Sequence, residues 1–224
     1  MFPAYTKILL AASWSGFKTE IIDFKNPSFT CSKLNQFPKQ TAGAVGGMVG
    51  DTPFVCGGYT SSHGHTTTCY VLQENGAWKQ SSNSLSTGRY HAGYTVMKNQ
   101  LVVVGGSGGS GQRTIEVLSP TTKSRKLDVE LPENLPSPCV VPWDEDTFMV
   151  IGTSDKTYFI DMVTDKLSNG PKMHDMRDNH VCNEMTVNGE TFIVVAGGKT
   201  TEVLSKSSKN NYWKRSNIFQ KNSA

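Results

Sequence analysis

The sequence predicts an all-β protein built from a repeated unit, and three observations carry that prediction. First, small-residue sites end short apolar runs at a regular spacing. Gly57-Gly58 follows Phe54-Val55-Cys56, Gly105-Gly106 follows Leu101–Val104, Gly152 follows Phe148–Ile151, and Gly197-Gly198 follows Phe192–Ala196. A weaker copy, Ala11-Ala12, follows Ile8-Leu9-Leu10, and from Ala11 to Gly197 the steps are 46, 48, 47 and 45 residues. A period of this length marks a repeat architecture. Second, each site is followed by a variable loop and another apolar segment: Glu20–Asp23, Cys69–Leu72, Ile115–Leu118, Tyr158–Asp161 and Glu202–Leu204. Third, the runs are β-branched or aromatic and are bounded by Gly, Asn, Ser and Pro, which reads as strand. No segment combines a helical period with caps.

A few residues beyond each third segment stands one large residue, Trp78 in the second unit and Trp213 in the fifth, with Phe29, Leu127 and Leu167 as its counterparts. Arg89 and Arg177 each open a later unit. Together these residues resemble the kelch repeat: a first strand opened by Arg, a second ending in Gly-Gly, a third carrying Tyr and a fourth carrying Trp. The resemblance covers nearly the whole chain. It implies a β-propeller of four-stranded antiparallel blades around an axis, each blade covering the apolar faces of its neighbours. The Gly pairs suit strand ends that need positive φ or close backbone approach.

In order along the chain, the propeller is expected over residues 1–218, followed by a short polar tail, 219–224. The first blade, 1–34, is partial. Its second strand is Lys7–Ala12, its third runs from Thr19 to Phe24 and its fourth lies near Ser28–Lys33, while only Met1 and Phe2 stand where a first strand belongs. The complete blades are expected at 41–82, 89–129, 137–170 and 178–217, with second strands ending at Cys56, Val104, Ile151 and Ala196. Kelch propellers usually close with about six or seven blades, so about five, the first incomplete, are read as a fragment of a larger propeller. Ile8, Leu10 and Ile21 are then expected to be less covered than Val102, Val104 and Val117, and open edges and faces to favour self-association.

Composition bounds the partners. Hydrophobic content of 37% with 18% charged residues fits a globular chain rather than a disordered one. The net charge is only +3, and the densest basic stretch, Lys206–Arg215, is diluted by Ser and Asn. It reads as a solvated last strand, not a nucleic-acid site. No apolar stretch reaches membrane-spanning length, so no membrane insertion is expected. Lys7 followed by Ile8–Ala12 has the outline of a signal peptide, but the run is short and falls on the repeat period, which assigns it to a strand.

Of five cysteines, Cys31, Cys56, Cys69, Cys139 and Cys182, none forms C-x-x-C, so zinc and thioredoxin-type readings gain no support. Cys56 ends a second strand and Cys69 begins the third, placing them across a hairpin. Cys139 and Cys182 lie on first strands of consecutive blades. Buried thiols and disulfides of an oxidising compartment both fit. Pairing would place the protein outside the cell or at its surface, and free thiols would place it in the cytoplasm. The odd fifth cysteine and the lack of an Asn-x-Ser/Thr site weigh against secretion.

Several motifs have a chemical reading and a plainer one. Gly106–Gly111 matches G-x-G-x-x-G, but the dinucleotide fingerprint needs a helix to follow, and Thr114–Leu118 is β-rich and short. The cluster Gly43–Gly50 lacks the Lys-Ser/Thr that holds phosphates. His63-Gly64-His65 has metal-ligand spacing without a third ligand. His91 and His180, each just after an Arg, read as structural parts of the repeat, and Asp144-Glu145-Asp146 as a polar turn. No cofactor is expected. The chain is read as a non-catalytic scaffold that presents loops to a protein or peptide partner; the alternative is a propeller enzyme related to copper radical oxidases, with His, Tyr and crosslinked Cys at its metal. In kelch substrate adaptors the loop face holds peptides. That face maps here to Tyr59–Thr68, Ser107–Arg113, Ser154–Lys156 and Lys199-Thr200, with the segments before Arg89, Ser137 and Arg177. His65, Arg89, Arg113, Arg177 and His180 are the candidate contacts, Arg because it grips a carboxylate with two hydrogen bonds; blade-to-blade bonding is an equal reading of Arg89 and Arg177. A ligase adaptor with an upstream BTB domain, a cytoskeletal binder and a secreted kelch protein are the contexts considered.

Overall fold

Alternating burial along short strands builds four sheets of the same design. The structure is a computed structural model that describes residues 7–23, 25, 34–198, 200–208 and 212–216. Met1, Phe2, the strand near Ser28–Lys33 with Phe29 and Cys31, Lys199, and the tail 219–224 lie outside the described residues. A two-stranded sheet comes first, β1 (Lys7–Leu10) with β2 (Glu20–Asp23). The second sheet is β3 (Val45–Val49), β4 (Thr52–Cys56), β7 (Cys69–Leu72) and β8 (Trp78–Gln80), with the small hairpin β5 (Tyr59–Thr60) and β6 (Gly64–His65) in its loop. The third is β9 (Gly93–Met97), β10 (Gln100–Val104), β11 (Ile115–Leu118) and β12 (Arg125–Lys126). The fourth is β13 (Cys139–Pro142), β14 (Thr147–Ile151), β15 (Thr157–Asp161) and β16 (Lys166–Asn169). The fifth is β17 (Val181–Val187), β18 (Glu190–Gly197), β19 (Thr200–Ser205) and β20 (Lys214–Ser216). All pairings within these blades are antiparallel meanders, and β18 runs one residue past the expected Ala196.

Strand β10 shows why the apolar runs were continuous. Successive side chains of a strand point to opposite faces. Leu101 and Val103 pack with Phe54 and Cys69 of the second blade. Val102 and Val104 pack with Phe148 and Val150 of the fourth. A third core joins the fourth and fifth blades around Met149, Ile193, Leu204 and the buried Trp213. Each fully buried aliphatic side chain stabilises by about 1.5–3 kcal/mol, so the blades hold one another. The inner strands β3, β9, β13 and β17 pack in succession around the axis. They line a channel of about 510 Å³ with Gly46, Gly47, Gly93 and the Cys139–Cys182 pair on its wall.

The first sheet is covered differently. Ile8 and Leu10 are 45% and 46% exposed, whereas Val102 and Val104 are fully buried. Between this sheet and the second blade lies an apolar gap of about 470 Å³, bounded by Leu9, Ile21, Gly47, Val55 and Leu72. One link between the two units is made by Trp78, whose indole N–H donates to Thr19 Oγ1 at 2.9 Å; backbone bonds from Phe37 to Phe17 and from Thr41 to Ser13 add to it.

Both hairpin-facing and inner-strand cysteine pairs are disulfides. Cys56 and Cys69 are direct partners in the β4–β7 ladder, with Cα atoms 4.1 Å apart. Cys139 and Cys182 join neighbouring inner strands across 5.9 Å. Gly57, Gly58, Gly105, Gly106, Gly197 and Gly198 all take positive φ. Gly152 does not. It is held small by close approach, since a Cβ there would lie 2.7 Å from Leu135 Cδ2. The only helix among the described residues is a single 3-10 turn at Gly111–Arg113. It removes the nucleotide reading of Gly106–Gly111, because β11 follows where the phosphate-binding helix would have to start.

Candidate functional site

The loops after the glycine sites and the connections between blades lie on one face, stitched by backbone hydrogen bonds. Ala42 pairs with Tyr59, and Tyr90 with Ser107, as isolated antiparallel bridges. The Gly58 N–H donates to the Arg89 carbonyl at 2.8 Å, Gly106 to Leu135 at 2.8 Å, and Arg177 to Thr153 at 3.0 Å.

Beneath that face the structure corrects three expected contact residues. Arg89 is 1% exposed. Its Nη1 donates to the carbonyls of Gly105, Gly111 and Thr114 at 3.0, 3.0 and 3.2 Å. Its Nη2 donates to Thr114 Oγ1 and to Glu116 Oε1 at 2.8 and 2.5 Å. Burial pulls the guanidinium below its ordinary pKa, and Glu116 pulls it back. Arg177 repeats the arrangement. It donates to the carbonyls of Gly197 and Thr200, to Thr200 Oγ1, and to Glu202 Oε1 at 2.7 Å. Both guanidiniums are buried and turned onto their own blade, with Arg177 Nε alone left without a partner, so neither is presented to a ligand on the face. His180 is also buried, with Nε2 3.2 Å from the Ile151 carbonyl oxygen. It sits on the axial channel, and burial holds its pKa below the usual histidine value.

Glu116 and Glu202 were missed by sequence reasoning. Each is 0% exposed within an apolar third strand. Each carboxylate also accepts backbone N–H bonds from the preceding connection: Ser86 and Thr87 for Glu116, His174 and Asp175 for Glu202. The signal was present, because a lone Glu interrupts the apolar segment in the two units that an Arg opens. In the fourth blade Tyr158 donates instead to Glu133 at 2.7 Å, and burial, reinforced by that carboxylate, raises its pKa.

The residues left on the face are of another kind. Arg113 is exposed and anchored by Nε to the Leu131 carbonyl at 2.6 Å. His63 is bonded to Ser62 Oγ at 2.6 Å. His65 does not join His63 in a metal site, and no group of three or more His, Cys, Asp or Glu gathers among the described residues. The Asp144–Asp146 segment is the expected polar turn, with Asp144 Oδ1 accepting from the N–H groups of Asp146 and Thr147.

His65 joins an aromatic cluster instead. Its ring stacks on Tyr90 at 5.2 Å and meets Tyr59 edge-on at 5.5 Å. Tyr59 and Tyr90 are 5.7 Å apart, Trp14 lies 5.9 Å from Tyr59, and His91 lies 4.6 Å from Tyr90. Thus His91, expected to match His180, has the opposite role. Two glycines leave the space that the imidazole rings occupy. A Cβ at Gly108 would lie 2.4 Å from His65 Cδ2, and one at Gly43 2.3 Å from His91 Cδ2. Trp14 is 52% exposed, and His65 and His91 are exposed too. These rings come from the first, second and third units, so no local motif announced them.

Residues 88–127 match the Kelch motif. No curated protein sequence matches the chain. The solved structure of YjhT superimposes with a TM-score of 0.69 at 15% identity, covering 88% of this chain and 72% of that one. At that identity the likeness concerns the fold. With the four-stranded sheets and the Kelch motif, it makes this chain a kelch-type β-propeller structure.

Proposed function

We propose that the chain is a non-catalytic scaffold whose loop face binds a protein or peptide partner. The kelch propeller is in general a protein-interaction scaffold, and loops on a rigid frame are where binding residues concentrate. The observation that carries the reading is the surface cluster of exposed Trp14, His65 and His91 with half-buried Tyr59 and Tyr90. Tyr and Trp dominate binding energy at protein interfaces, and these rings, gathered from three units, belong to none of the buried core clusters. The two disulfides fit an oxidising compartment, so a surface or extracellular partner is favoured. The test is selection from a random peptide display library against the whole chain. Peptides whose binding falls at least tenfold in Trp14→Ala, Tyr59→Ala or Tyr90→Ala support the reading. Selected peptides indifferent to all three would place the binding elsewhere, and failure to select any would refute the peptide-binding role.

A further inference from the structure

We infer that Asn188, at the tip of the fifth blade's first hairpin, is a site of spontaneous deamidation that converts it to isoaspartate and aspartate; this does not rest on the peptide-binding reading. The chain holds three Asn-Gly pairs, Asn75-Gly76, Asn169-Gly170 and Asn188-Gly189. Asparagine is a thermolabile residue, and a following glycine has no Cβ to obstruct its reaction. The glycine nitrogen forms a bond to the asparagine Cγ. The side-chain nitrogen leaves as ammonia, taking up the proton that the backbone N–H gives, and a cyclic succinimide remains. Water then opens the ring at either carbonyl. One opening gives aspartate, the other isoaspartate, with the main chain rerouted through the side chain. No oxidant, metal or enzyme is required, so the folded surroundings decide which pair reacts.

Two of the pairs are tied down. The Gly76 N–H donates to the Gln73 carbonyl at 2.9 Å. Asn75 Oδ1 accepts from the Ala77 N–H at 3.0 Å, an Asx turn that holds the amide in place. Asn169 is the last residue of β16, in register with Tyr158. The Gly170 N–H donates to the Thr157 carbonyl at 2.8 Å, and a Cβ at Gly170 would lie 2.3 Å from Thr157 Oγ1. That backbone is crowded as well as bonded. A nitrogen whose proton is committed to a carbonyl must give up that bond before it can act as a nucleophile.

Asn188-Gly189 is free in each of these respects. Strands β17 and β18 are 7 and 8 residues long, against 4 or 5 for the first two strands of the second, third and fourth blades. Residues 185–190 around their turn are all exposed. Val187 pairs with Glu190, and Asn188 and Gly189 take φ of 51° and 81°, the pattern of a two-residue type I′ turn. Among the described residues the Gly189 N–H has no acceptor and the Asn188 amide no partner. Nothing lies within 4 Å of where a Gly189 Cβ would stand, so the turn can swing into water without displacing a neighbour. Reaction there sets a new carboxylate two residues from Glu190. Isoaspartate also adds a carbon to the main chain of a turn whose length matches the strand twist. The tip opens β18, which ends at Gly197 on the loop face, so the two sites stand at opposite ends of the blade.

The experiment is peptide mapping by mass spectrometry of the whole folded chain, held at mildly alkaline pH in heavy-oxygen water. The reduced chain in denaturant is the reference, and circular dichroism establishes that the folded sample stays folded. In the folded chain Asn188 is expected to convert at least roughly tenfold faster than Asn75 or Asn169, whose ties must first break. It should gain one heavy oxygen and yield both isoaspartate and aspartate. In denaturant the three rates should draw together, because each pair then lacks a fixed partner. Asn188→Gly, which keeps a turn residue of the same type, should remove the fast reaction and leave the other two sites unchanged. Conversion of Asn75 or Asn169 as fast as Asn188 in the folded chain overturns the inference. So does an Asn188 that stays intact over the time in which the denatured chain converts. Aspartate without isoaspartate would overturn the route through the ring.

Discussion

The second and third blades meet the same difficulty with different chemistry. In each, the second strand ends at a Gly-Gly pair, and the chain must leave the ladder and return two or three turns later as the third strand. In the third blade Arg89 gathers the stray carbonyls of Gly105, Gly111 and Thr114, and Glu116 neutralises it. In the second, Cys56 immediately before the glycines is bonded to Cys69, where the third strand begins. The fifth blade follows the third, with Arg177 and Glu202. The requirement is to close the strand end, and a buried ion pair or a covalent bond meets it. The two differ in what they stabilise. The ion pair acts in the folded state and is valuable only while both partners remain. The disulfide acts largely by restricting the unfolded chain.

The largest effect should come from splitting the ion pair. Glu116→Ala leaves Arg89 charged and buried without its counter-ion, and strips acceptors from the Ser86, Thr87 and Ser124 donors. The expected loss is about 3–5 kcal/mol in denaturant unfolding, and Arg89→Ala should cost a similar amount. Replacing both together with Arg89→Met and Glu116→Leu should cost much less than the sum, since no charge is then stranded. Additive losses would mean that the pair is not a unit.

Removing the covalent lock sharpens the contrast. Loss of Cys56–Cys69, separated by 13 residues, should cost about 3 kcal/mol. Loss of Cys139–Cys182, separated by 43, should cost roughly 4 kcal/mol, because the longer loop is freer when unfolded. Paired Cys→Ser variants, unfolded with and without reductant, give both numbers. A reductant should leave the Arg89 lock untouched. Equal sensitivity of the third blade to reductant would break the comparison.

Acid should distinguish the third blade from the fifth. His180 is kept neutral by burial, with Arg177 nearby opposing protonation and the Ile151 carbonyl favouring it. Its folded pKa lies below the unfolded value near 6.5. The unfolded chain therefore binds the proton first, and stability present above pH 6.5 is lost as the pH falls through the folded pKa. The effect should be smaller than either disulfide loss. His180→Gln should flatten the denaturation midpoint between pH 7.5 and 5; an unchanged slope would show that another group is responsible.

How much of this could be read from the sequence follows from the range of each interaction. Strand ends, blade order and the Cys56–Cys69 pairing are set by local alternation and by antiparallel neighbours, so the 46-to-48-residue spacing from Ala11 to Gly152 located them. The roles of Arg89 and Arg177 were not legible, because an Arg beside a loop looks the same whether it faces solvent or turns inward. Only Glu116, 27 residues on, decides the matter for Arg89. The aromatic ledge was less legible still. Trp14, Tyr59 and Tyr90 belong to different units, and their meeting depends on how blades are placed side by side.

The smallest effect on stability should come from the ledge itself. Trp14 is 52% exposed, and its described contact is with Tyr59 on the surface. Truncating it to alanine opens no core and strands no charge, so unfolding should shift by no more than about 0.5 kcal/mol. Glu116→Ala should do the opposite: it weakens the third blade without touching a ring of the ledge. Protein that remains folded under native conditions should then keep its affinity for loop-face peptides. The pair of variants thus separates the two layers of this face, a buried one that closes strand ends and a surface one proposed to meet partners. If Trp14→Ala destabilised the chain as much as Cys56→Ser, the ring would be a staple between the first sheet and the second blade rather than part of a binding surface. The apolar gap of about 470 Å³ beside that sheet makes this a real contest, because the first sheet has few other ties to the second blade, Trp78 to Thr19 among them. Unfolding curves for the two variants, measured beside peptide affinity, decide it.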